Sequence, residues 1–67
     1  VDGNVEFDNM PLSKIVGTIE RVYGVNVIGL PKNDPSLTLY FKGDAQQLVN
    51  EINSLLGTQL KIADNAQ

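Results

Sequence analysis

Apolar residues along this chain follow two periods, and the change from one to the other comes at matching places in its two halves. Leu12, Ile15, Val16, Ile19, Val22 and Tyr23 stand at offsets of 0, 3, 4, 7, 10 and 11. At ~100° per residue these form one stripe, the mark of an amphipathic helix. Thirty-three residues on, Ala45, Leu48, Val49, Ile52, Leu55 and Leu56 repeat the same offsets, all apolar. Each stripe meets a glycine, Gly24 or Gly57, where a helix C-terminus calls for a left-handed residue. Short strand-like runs flank both stripes: residues 5–7 and 25–29 around the first, 37–41 and 58–63 around the second.

The predicted order is β-α-β-β-α-β. This is an α+β domain of two pseudo-repeated βαβ halves, with two helices packed on small mixed sheets. Between the halves, "GLPKNDPS" holds two prolines, a glycine and Asn-Asp, a connection rather than an element. A solenoid needs three or more such units, and only two fit in this length. Asp44 is placed to cap the second helix, with Gln47 three residues on completing a capping box. Asp8 or Asn9 is placed to cap the first, and Pro11 falls in its opening turn. Gly17 stands in mid-helix at a cost of ~1 kcal/mol against alanine, and a close backbone approach is one reason a chain would keep it.

Alternation along the strands assigns Val5, Phe7, Val25, Val27, Leu37, Leu39, Phe41, Leu60 and Ile62 to the core with both helix stripes. The opposite strand faces then carry Glu6, Asn26, Ile28, Thr38, Tyr40, Gln59 and Lys61. Ile28 and Tyr40 stand out on that face. An exposed aromatic with an aliphatic reads as a docking patch, or as a surface covered by the domain's own tail or by a second small sheet. Lys61 shares the face and is the charged candidate for a partner contact.

Sixty-seven residues allow one small domain. The chain contains neither cysteine nor histidine, so stability must come from the 42% of residues that are apolar. Eight acids against five scattered bases leave a net charge of −3. No basic stripe is present to neutralise phosphates, which argues against a nucleic-acid module. No run approaches the ~18 apolar residues of a membrane span, so no direct membrane insertion is expected of this segment. An abrupt start at Val1 and the polar end "ADNAQ" read as the limits of a piece of a longer protein.

Catalysis needs a nucleophile with a base, a carboxylate pair or metal ligands. Glu6 and Asp8, two apart near a strand end, read more simply as an exposed strand charge and a helix cap. Asp34 brings one carboxylate to its loop, whereas calcium takes six or more oxygens, so it reads as a turn residue. Gly24 and Gly57 lie at helix ends, whereas phosphate loops lie at helix starts. The residues themselves therefore point to no catalytic, cofactor or metal site. A small enzyme of ferredoxin-like fold would need an anion-binding arginine or a base in a loop, and no loop here supplies one.

In "VEFDNMPLSKIVGTIERVYGVNV", Phe7, Asn9, Pro11, Leu12, Tyr23 and Gly24 resemble the strand, "F-x-N-x-P-L" and "YG" marks of the short C-terminal domain of FecR-type anti-sigma regulators, common in Bacteroidetes. "LTLYFKGDAQQLVNEINSLLGTQLKI" resembles the strand, helix and closing strand of the same family. The likeness runs over about residues 4 to 63. It implies a non-enzymatic periplasmic module of an inner-membrane-anchored regulator, whose partner is the periplasmic signalling domain of a TonB-dependent outer-membrane receptor. The signal would pass by protein contact toward a sigma factor. The secretin and TonB short N-terminal domain has the same element order and is the alternative. Both readings imply a further short strand after "KI", where this chain has "ADNAQ".

Overall fold

A computed structural model describes residues 3–63, and the expected further strand after Ala63 falls outside those residues. The elements run β1 (Gly3–Pro11), α1 (Leu12–Tyr23), β2 (Asn26–Ile28), β3 (Ser36–Gly43), α2 (Ala45–Leu56) and β4 (Lys61–Ala63). This is the α+β fold, in the order β-α-β-β-α-β. Strands pair across the halves rather than within them, in two antiparallel two-stranded sheets, β1 with β3 and β2 with β4. A sheet mixing parallel and antiparallel pairs is therefore not what forms among the described residues. Helix α1 lies against β1 and β2, and α2 against β3 and β4.

β1 runs longer than its apolar alternation indicates because it is broken by a bulge. Phe7 pairs with Leu39 and Met10 with Leu37, so Asp8 and Asn9 together oppose Thr38. Asn9 takes a left-handed φ of 47°, which asparagine tolerates better than most residues, and its N–H donates to the Thr38 hydroxyl at 2.8 Å. The extra residue resets the alternation, so that Phe7 and Met10, three apart, both pack on the core.

With Asp8 and Asn9 held in the sheet, neither caps α1. Pro11 is itself the N-cap residue, in extended conformation with no side-chain cap bond. The cap comes from the connection between the halves. Asp34 accepts the Ser13 N–H at 2.7 Å through Oδ1 and the Ser13 hydroxyl at 2.8 Å through Oδ2. The Pro35 carbonyl accepts the Leu12 N–H at 2.8 Å. At α2 the capping box forms as the residues predict, with the Gln47 N–H to Asp44 Oδ1 at 2.8 Å and the Asp44 N–H to Gln47 Oε1 at 3.0 Å. Both helices end on left-handed glycines, Gly24 at φ 68° and Gly57 at φ 69°.

One continuous core joins both sheets and both helices. Phe7, Leu12, Ile15, Ile19, Leu48, Val49 and Ile52 are closed off from water. Val5, Val27 and Leu60 are buried as expected, while Val25, Leu37, Leu39, Phe41 and Ile62 are partly buried against them. Val22 and Leu55 do not join the core and remain 44% and 53% exposed. They occupy the same position in the two stripes, at the margin of the apolar arc.

Candidate functional site

The three residues singled out as a contact surface are all exposed, and the structure divides them between the two sheets. Ile28 on β2 and Lys61 on β4 are register partners and look outward together, with Ile28 53% exposed. Tyr40, 68% exposed, lies on β3 opposite Glu6 of β1. Its neighbours along the outer side of β3 are Thr38 and Lys42, both exposed. No strand pairing joins the two sheets among the described residues. The surface is thus an aliphatic beside an ammonium on one sheet, and an aromatic among polar side chains on the other. Leu30 adds a further exposed apolar residue, two positions beyond Ile28. The only sequence signal for Leu30 is its closeness to Ile28, because it sits in the connection rather than in an alternating run.

What the carboxylates do is decided by their neighbours. Glu6 and Asp8 are exposed on β1, and among the described residues no three acids, histidines or cysteines gather as metal ligands. Both oxygens of Asp34 are taken by Ser13, so its role in the described structure is that of a helix cap. Glu20 accepts the Val27 N–H at 2.9 Å through Oε2. Asn53, 33 residues further on, does the same for Leu60, accepting its N–H at 2.8 Å. The Asn53 amide also donates to the Leu60 carbonyl at 3.0 Å, and its oxygen accepts the Thr58 hydroxyl at 2.8 Å. Each helix thus pins, through the same repeat position, the chain that follows it, at Val27 within β2 and at Leu60 directly before β4. The 33-residue offset carries that signal in the sequence, although a glutamate and an asparagine do not look alike there.

Tyr23 has a comparable role. Its hydroxyl lies 3.0 Å from the Gly43 carbonyl oxygen and 3.3 Å from that of Gly3, and Gly3 and Gly43 are the terminal register pair of β1 and β3. The phenol of α1 therefore closes the end of that sheet. No cavity forms among the described residues, and every buried side-chain polar atom among them has a hydrogen-bond partner. Each of the two-stranded sheets leaves one edge of each strand without a strand partner among the described residues. Comparison with protein-family models, curated proteins and solved structures finds no significant match to the chain.

Proposed function

We propose that this domain is a non-enzymatic protein-interaction module of a FecR-type anti-sigma regulator. In this reading it works in the periplasm and relays by contact the state of a TonB-dependent outer-membrane receptor toward a sigma factor. One observation carries the proposal: the residues that resemble the family motif set the geometry of the first half. Phe7 and Leu12 are closed in the core, Asn9 makes the bulge and Pro11 is the N-cap of α1. Tyr23 closes the first sheet, and Gly24 ends the helix. Such a motif identifies a scaffold and leaves the outer strand faces to meet the partner, with Ile28 and Lys61 on one and Tyr40 on the other. A relay of this kind makes and breaks no covalent bond.

The test is binding of the receptor's isolated periplasmic signalling domain by titration calorimetry. Ile28→Asp with Lys61→Glu, and separately Tyr40→Asp, are expected to leave the circular dichroism spectrum intact. At least one of them should weaken binding by about tenfold or more, as loss of an interface anchor does. Full affinity in both variants removes these faces from the contact, and a wild-type domain that does not bind removes the FecR-type reading. The same element order supports a second reading, the secretin and TonB short N-terminal domain. Coding sequence for a long β-barrel or secretin ring downstream of this segment would decide for it.

A further inference from the structure

Every strand pair among the described residues joins one half of the chain to the other, and so does the cap of α1. β1 and β2 belong to the first half, β3 and β4 to the second, and the described sheets are β1–β3 and β2–β4. Asp34 and Pro35, which hold the start of α1, directly precede β3. At the other end of the connection Gly29 lies so close to the second half that a Cβ there would stand 2.5 Å from the Gln59 carbonyl oxygen. Residues 30–33 alone link the two tied ends, and Leu30, Lys32 and Asn33 among them are exposed. A half on its own has no strand partner and an open core, whereas two halves satisfy each other wherever their termini lead.

We propose that the two halves are exchangeable between chains. By opening at residues 30–33, two copies would close on each other as a domain-swapped dimer, the first half of each on the second half of the other. Such exchange reuses the closed-monomer contacts between halves and changes only the path of the linker, which makes it a low-cost route to a dimer. The proposal does not depend on the functional reading above, because it rests on the contacts between the halves and the short connection that links them.

Two full-length variants test it. Ile15→Asp with Ile19→Asp ruins the first half of one chain, and Leu48→Asp with Ile52→Asp ruins the second half of another. All four positions are closed off from water, and two buried carboxylates per chain leave each variant unfolded alone. Exchange predicts that an equimolar mixture regains a dispersed proton NMR spectrum from one sound unit, formed by the intact first half of one chain and the intact second half of the other. The mixture would then sediment with the mass of two chains. A mixture as unfolded as its components overturns the proposal.

Discussion

Two glycines show how little a residue type says without its surroundings. Gly17 and Gly29 are both exposed to substitution by alanine, with opposite expected results. At Gly17 a Cβ meets nothing within 4 Å, so no close approach explains the glycine. Alanine there is expected to gain about 0.5–1 kcal/mol from helix propensity, read as a rise in thermal midpoint of a few degrees. At Gly29 the backbone has a φ of 96° and a Cβ would collide with the Gln59 carbonyl. The Gly29→Ala variant is expected to lose at least about 1–3 kcal/mol on the same thermal scan. A neutral result at Gly29 would mean that the connection approaches Gln59 less closely than described.

Helix ends are where elements depend on distant sequence. α2 carries its own cap in Asp44 and Gln47, whereas α1 borrows one from Asp34, 21 residues from Ser13. Asp34 also takes a left-handed φ of 46°, which asparagine accepts about as readily as aspartate. Asp34→Ala loses both the acceptor and the backbone preference, and is expected to cost about 0.5–2 kcal/mol in urea unfolding. Asp34→Asn keeps an oxygen for the Ser13 N–H and is expected to cost clearly less. Equal losses from the two would show that the left-handed turn and the cap oxygen are not what the carboxylate contributes.

At the scale of the molecule, stability rests on one core shared by both halves. For 67 residues a net stability of roughly 3–10 kcal/mol is expected. Ile52, closed off from water, is worth about 2–5 kcal/mol against alanine, a large share of that total. Leu55, three residues along the same stripe but 53% exposed, is expected to change stability by no more than about 0.5 kcal/mol when replaced by alanine. Denaturant midpoints of Ile52→Ala and Leu55→Ala measure the difference. Similar losses in both would place Leu55 in the core after all.

The apolar periods and the terminal glycines were enough to locate both helices, the strands and their order, because those signals are local. Offsets of three and four define a helix face, and a glycine after the stripe supplies its left-handed end. Ile28, Tyr40 and Lys61 were likewise legible as outward-facing, since alternation alone decides which side of a strand a residue takes. Which strand pairs with which was not legible. The two-residue period says nothing of the partner, so antiparallel pairing across the halves emerged only in three dimensions, and with it the separation of Tyr40 from Ile28 and Lys61. The bulge at Asp8 and Asn9 and the cap that Asp34 gives α1 belong to the same class. Each depends on residues far apart in the chain, and a pattern along one strand or helix cannot contain them.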